Sequence, residues 1–295
     1  MDNIVYKVND LVKVYPIGDT GITALRGVTF EIYEGEFLVI MGPSGSGKTT
    51  LLNLLSGIDF PSSGYVMFRG MRLSSLRESE LERLRLEKIG IVFQFLNLIR
   101  RMTARENIEL PMISLGIPGE ERLRRVDELS SKLGIRDKID KLVEELSGGE
   151  QQRVAIAAAL ANDPEVILAD EPTAELDSEN ISRVINLFKE EVGRGKTVVV
   201  NTHDPRVARE ADRVVMLEDG LVKGIYRPTE LSTYAEGGGD ISMFIRRRLE
   251  EVRREIDNLV SEFRNGKVGI DDFIRRYTRL KTLEEVYRDE FRVRG

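Results

Sequence analysis

Apolar and polar positions alternate along residues 4–41, with turns expected at Gly18, Gly21 and Gly35. Alternation with a period of two is the mark of a strand. Phe37–Met41 (FLVIM) breaks the alternation, and a short apolar run bounded by Gly35 and Gly42 reads as a buried strand. The same pattern returns at Ile89–Phe93 (IGIVF), Val166–Ala169 (VILA), Thr197–Asn201 and Val214–Leu217. Residues 64–73 (GYVMFRGMRL) read as a strand pair. Between these runs the apolar spacing becomes helical: after Gly47 (KTTLLNLLSGI), from Ser74 to Glu87, over 179–192 and over 205–211. Residues 103–145 are mostly helical, with breaks expected at Pro111, Gly116–Gly119 and Gly134. Strands alternating with helices imply parallel βαβ units, hence an α/β fold. The helical block at 103–160 interrupts that alternation and is expected to form its own subdomain.

Near Pro228 the pattern changes. Gly237, Gly238 and Gly239 read as a flexible joint. Beyond it Ile245, Leu249, Val252, Ile256, Leu259 and Phe263 form an apolar seam on one helix face. A turn at Asn265-Gly266 leads to a second helix with Phe273, Tyr277, Leu280 and Tyr287 on one side. The pair reads as a helical hairpin. Its seam has two open uses, packing on its own domain or joining a second protein.

Composition removes several function classes. The 295-residue chain is 41% hydrophobic and 32% charged, a soluble globular balance. No run approaches the ~18 apolar residues of a membrane span. The first residues, MDNIVYKVND, carry no basic segment followed by an apolar one, so a secretory leader is not expected. A cytoplasmic place is expected, with any membrane role supplied by a partner chain. The net charge of −6 argues against a broad nucleic-acid face. Cysteine is absent and His203 is the one histidine, which excludes disulfides and thiolate sites and disfavours zinc.

The chemistry-bearing stretch is Gly42–Thr50, GPSGSGKTT, which satisfies G-x-x-x-x-G-K-[ST] between a strand and a helix. Gly42, Ser44, Gly45 and Gly47 let successive backbone N–H groups point inward as an anion nest. The helix N-terminus adds partial positive charge. Lys48 is placed to reach β- and γ-phosphates, Thr49 to hold Mg²⁺, and Thr50 to add a further nucleotide contact. Asp170-Glu171 ends the VILA strand, at the sheet edge where ligands bind. Asp170 is expected to hold Mg²⁺ through its water shell, and Glu171 to act as general base on the attacking water.

LSGGEQQR at 146–153, after that loop and shortly before VILADEP at 166–172, resembles the ATP-binding-cassette ATPases over roughly residues 4–226. The resemblance implies a P-loop NTPase core with an antiparallel β subdomain, an inserted α-helical subdomain at about 95–160 and a C-terminal helical hairpin. The cassette would span 1–227, a linker 228–240 and the helical extension 241–295. It implies that Gln94 couples Mg²⁺ and the attacking water to the helical subdomain. Glu175-Leu176-Asp177 match the D-loop, with Asp177 near the nucleotide. His203 matches the switch histidine that senses phosphate, and Tyr15 the aromatic that stacks on adenine. Two chains would pair head to tail, so that Ser147, Gly148 and Gly149 of one face the γ-phosphate held by Lys48 of the other. ATP and Mg²⁺ are the expected ligands. An integral membrane permease and an ATP-dependent homodimer are the expected partners, with nucleic acid excluded. The chain would sit at the inner face of the cell membrane through the permease.

Residues 93–112 (FQFLNLIRRMTARENIELPM) are similar to the lipoprotein-release and macrolide-export branch. That implies export or extraction. The alternative is a cassette that transmits ATP-driven motion to a membrane or cell-wall partner without moving a substrate. Three features depart from the family pattern: Ala158, where Arg is usual, Glu175 in the D-loop, and the pair Arg100-Arg101, where Pro is common. Cassette ATPases of DNA repair carry long coiled coils between the phosphate loop and LSGGE, and Lys48 and Ser147 are too close in this chain to enclose one.

Overall fold

The structure is a computed structural model that describes residues 3–17, 20–229, 241–265 and 267–292. The expected turn at Gly18, the joint Gly237–Gly239 and Gly266 lie outside the described residues.

Two long strands, β1 (Ile4–Ile17) and β2 (Thr20–Tyr33), pair antiparallel along their length. β4 (Ser63–Phe68) adds to the other edge of β1, and β5 (Met71–Arg72) pairs with β4. This sheet has the order β2-β1-β4-β5. Gly21 lies inside β2, opposite Pro16, rather than at a turn, because the ribbon continues past it on both sides.

The second sheet holds β3 (Phe37–Met41), β6 (Ile89–Val92), β7 (Val166–Asp170), β8 (Thr197–Asn201), β9 (Arg213–Glu218) and β10 (Leu221–Tyr226). Its order is β10-β9-β3-β8-β7-β6, parallel except for β10, which returns antiparallel on β9. β3, β7 and β8 are buried along their whole length. Phe37, Val39 and Met41 enter one core, with the helices, while Leu38 and Ile40 enter the other, with the antiparallel sheet. Covering on both faces is why these strands read as unbroken apolar runs.

The helices are α1 (Lys48–Leu55), α2 (Glu78–Glu87), α3 (Ala104–Ser114), α4 (Gly119–Lys132), α5 (Gly148–Leu160), α6 (Ser178–Gly193) and α7 (Pro205–Arg209). α3, α4 and α5 pack together on the β6 side of the sheet. Thr103 caps α3 through a reciprocal bond with Glu106. α3 runs through Pro111 instead of breaking there. A helical proline costs about 3 kcal/mol. Fully burying Ile108 and Met112 on either side of it returns about 1.5–3 kcal/mol each, so packing wins.

At the C-terminus, α8 (Ile241–Arg264) and α9 (Ile270–Arg292) pack against each other. Leu249, Val252, Ile256 and Leu259 are buried, and Phe263 stacks on Phe273 with ring centroids 4.2 Å apart. Arg253 and Lys281 both donate to Glu284, at 2.9 and 2.8 Å. The seam is thus used within the hairpin itself. The side chains of Ile245 and Tyr287 lie outside the described ones. Among the described residues no helix is long and apolar enough to cross a membrane.

Candidate active site

The phosphate loop leaves β3 and opens α1. Gly47 caps the helix at φ 101°, and a Cβ there would stand 2.6 Å from the carbonyl oxygen of Ala24, so no other residue fits without moving that backbone. The Lys48 ammonium donates to the carbonyl oxygens of Gly42 and Pro43, at 2.8 and 3.0 Å. It therefore lies over the mouth of the loop, in front of the α1 N-terminus.

The ends of β7 and β8 meet this loop. Thr49 donates its hydroxyl to Asp170 Oδ2 at 2.7 Å, across from β7. Asn201, at the end of β8, donates to the Lys48 carbonyl at 2.8 Å and to Asp170 Oδ1 at 3.2 Å. Burial pushes the Asp170 carboxyl up, the bonds from Thr49 and Asn201 pull it down, and neighbouring Glu171 pushes it up again. Two acids this close favour a cation between or beside them.

Glu171 is reached through a left-handed backbone turn at φ 48°, which costs a residue with a Cβ roughly 1–2 kcal/mol. The turn is held by its own N–H donating to the Asn201 carbonyl at 2.9 Å. It brings the carboxylate to Thr202 and His203. His203 Nδ1 lies 2.7 Å from Glu171 Oε1, and the Thr202 hydroxyl donates to Oε2 at 3.2 Å. Burial works to raise the Glu171 carboxyl. The His203 contact, the charge of Lys48 and the Thr202 bond outweigh it and hold the group below the usual range. At neutral pH it is a carboxylate, fixed at both oxygens.

The LSGGE stretch starts α5. Ser147 is the N-cap, its hydroxyl accepting from Glu150 N–H, while the Glu150 carboxylate accepts from Ser147 N–H at 2.8 Å. The cap directs the helix N-terminus, with Ser147, Gly148 and Gly149, into a cavity of about 860 Å³. Its other walls include Glu171, Glu175, Asp177 and His203, with Asp272, Arg276 and Thr278 of α9 at the rim. No residue of the phosphate loop lines it. Within one chain, then, the signature loop, residues 146–150, faces Glu171 and His203 across this cavity but not Lys48. Asp177 also caps α6, accepting from Asn180 N–H at 2.9 Å. A Cβ on Gly149 would lie 3.0 Å from the Glu175 carbonyl. Gly149→Val is therefore expected to force the signature and D-loops apart, at about 1–3 kcal/mol of strain. A lowered thermal midpoint and a lowered ATP turnover check this, and an unchanged midpoint contradicts it.

Tyr15 stands on β1 with its hydroxyl donating to Asp59 at 2.8 Å, and the Asp59 N–H donates to the Asn53 carbonyl of α1 at 3.2 Å, so Asp59 connects it to the phosphate-loop helix. Gln94 follows β6 and is exposed, and among the described residues none hydrogen-bonds its side chain. The structure brings Lys48, Thr49, Thr50, Asp170, Glu171 and His203 together and joins Tyr15 to them through α1, sets the signature loop across a cavity from Glu171 and His203 but not beside the phosphate loop, and leaves Gln94 exposed. Sequence reasoning missed Asn201 and Thr202, although NT directly before His203 was a signal: two polar residues ending a wholly buried strand. It also missed Arg153, buried under the signature loop.

The sequence profile described as ABC transporter matches residues 25–174. An uncharacterized ABC transporter ATP-binding protein of Thermotoga maritima is 48% identical over 218 residues, covering 74% of this chain and 93% of its own. The macrolide export ATP-binding/permease protein MacB of Escherichia coli O157:H7 is 40% identical over 79% of this chain. That alignment covers 36% of MacB, so this chain spans about a third of the relative's length. Among solved structures, the dimeric post-hydrolysis state of the ATP-binding cassette MJ0796 bound to ADP and Pi is 43% identical, with a TM-score of 0.72 over 76% of this chain and 98% of that one.

Proposed function

The chain belongs to the ABC transporter family, and from that premise we propose how its own residues perform ATP hydrolysis and what the hydrolysis drives. The observation that carries the reading is the pair of constellations on one sheet edge: Thr49–Asp170–Asn201 at the phosphate loop, and Glu171 held by Thr202 and His203 beside it. The first is built to bind a polyphosphate with its cation. The second is built to take a proton from water.

In this reading the nest at 42–47 and Lys48 bind the triphosphate, and Tyr15 offers its ring to the base. The donor set suits Mg²⁺: a hydroxyl and a carboxylate oxygen in contact, both hard ligands. The buried Asn201 Oδ1 has no hydrogen-bond partner, a further oxygen left over at this point. Thr49 and Asp170 would hold it, and it would neutralise developing phosphate charge when bound. Gln94 would join by moving with the helical subdomain. Glu171 accepts the proton of the attacking water, and His203 keeps its carboxylate aimed and faces the phosphate.

The second half of the site comes from a second chain. Ser147–Gly149 and the α5 N-terminus point into a cavity that the chain's own phosphate loop does not reach, which supports head-to-tail pairing. We take 1–227 as the cassette, with its helical subdomain at about 95–160, residues 228–240 as linker and 241–295 as an extension. Relatives named ATP-binding/permease proteins support a separate integral permease as the driven partner, export as its direction, and a peripheral place at the inner face of the membrane.

Metal removal tests the catalytic reading. Purified chain is expected to release phosphate from ATP with Mg²⁺ and to lose that activity in excess EDTA, recovering when Mg²⁺ is restored. Equal release in EDTA would overturn the placement of the ion.

A further inference from the structure

ATP spans two separately built parts of this chain. Its phosphates belong to the loop before α1, and its base to Tyr15 on β1, in the other sheet. Affinity for the whole molecule then depends on how rigidly the two are spaced. The structure contains a clasp at this junction. Lys13 Nζ lies 2.5 Å from Asp59 Oδ1 and donates to the Phe60 carbonyl at 2.7 Å, while Tyr15 donates to Asp59 Oδ2 at 2.8 Å. One carboxylate thus holds both side chains. Val14 N–H donates to Ser62 Oγ at 3.0 Å, fixing the strand between them. Asp59 is itself tied to α1, its N–H donating to the Asn53 carbonyl at 3.2 Å. The same helix therefore carries the phosphate loop at its start and the anchor of Tyr15 just past its end.

We infer that Lys13 and Asp59 are positioning residues for nucleotide binding, setting the Tyr15 ring at a fixed distance from the phosphate loop. The Lys13 ammonium lies 4.8 Å from the Tyr15 ring centroid, over one face, so the opposite face receives the base. The pair is sheltered, with 12% of the Lys13 side chain and 26% of the Asp59 side chain exposed. It thus escapes the screening that makes exposed pairs weak. Across the ribbon, Ile22 pairs with Tyr15 and is 59% exposed. Directly opposite residues share a face, so an open apolar side chain flanks the ring and extends the platform. A flat aromatic heterocycle is the chemistry this surface takes.

The inference rests on the ATPase reading above, and its test separates the two. Steady-state hydrolysis is measured on the full chain for Lys13→Met, Asp59→Ala, Lys13→Arg and Tyr15→Phe. Inorganic triphosphate, which has phosphates but no base, serves as competing inhibitor. For Lys13→Met and Asp59→Ala the KM for ATP is expected to rise about tenfold, the scale of one lost charge-assisted bond. Their kcat, and their inhibition constant for triphosphate, are expected to stay within about twofold of wild type. Lys13→Arg, which keeps the charge, is expected to restore most of the KM. Tyr15→Phe keeps the ring, removes only the hydroxyl tether, and is expected to raise KM in the same direction even if the other variants fold poorly. An unchanged KM in Asp59→Ala and Tyr15→Phe overturns the inference. So does an equal weakening of triphosphate, because the clasp would then hold the fold and not the base. A wild-type chain that hydrolyses no ATP overturns the reading beneath, and the inference with it.

Discussion

Glu171→Gln is expected to slow phosphate release by about 10²- to 10⁴-fold, the range for removing a general base. Glutamine has the shape of glutamate and can still accept from Thr202 and meet His203, so the left-handed turn at 171 and the loop that follows should keep their places. What it lacks is basicity. Glu171 is also a negative charge beside Asp170 and within the field of Lys48, so its loss removes repulsion toward the triphosphate. ATP affinity should stay equal to wild type or increase. The signature of the account is a separation: turnover lost, binding kept. Phosphate release and equilibrium binding of a fluorescent ATP analogue, measured on the same preparation, check it. Hydrolysis at the wild-type rate would remove Glu171 from its role.

Lys48→Ala is expected to fail at the earlier step. The Lys48 ammonium is the cation that offsets both Asp170 and Glu171. Removing it takes away a unit charge aimed at the phosphates and leaves two acids facing them. A unit-charge pair at about 4 Å is worth ~4 kcal/mol at an effective dielectric constant of 20. Even after partial compensation by Mg²⁺ and the backbone nest, ATP affinity should fall by about 10²- to 10³-fold. Calorimetry with ATP and Mg²⁺ reads this directly. An affinity within about threefold of wild type would contradict the assignment, since no salt-screened surface lysine has a larger effect.

The parts of the site that the chain announces are those compressed into short motifs. GPSGSGKTT, LSGGE and the Asp170-Glu171 pair each carry their own geometry, through a strand before, a helix after, or a cap residue at a set spacing. His203 was legible because no other histidine competes with it. Contacts made by distant residues were not legible. Asp59 meets Tyr15 across 44 positions, and Asn201 meets Asp170 across 31, with nothing local to mark either pair. In the fold, continuous apolar runs revealed β3, β7 and β8, whereas β10 alternates half-buried and exposed residues at the sheet edge and gave no such run. Pro111 misled because its local cost is outweighed by tertiary burial of its neighbours, which sequence spacing does not show. The hairpin was visible as two amphipathic helices. That each covers the other emerged only from the packing of Phe263 on Phe273 and of Arg253 with Glu284.

The central claim is that one chain holds half of a catalytic site and that ATP joins it to a second. Its most direct test is the light-scattering mass of Glu171→Gln during size-exclusion chromatography, with Mg²⁺ throughout and with or without ATP. The account predicts the mass of one chain without nucleotide and of two chains with ATP. Adding Ser147→Arg should abolish that shift if, as proposed, the signature loop of one chain meets the phosphate bound by the other. A mass that is the same with and without ATP, at either one chain or two, would contradict the claim.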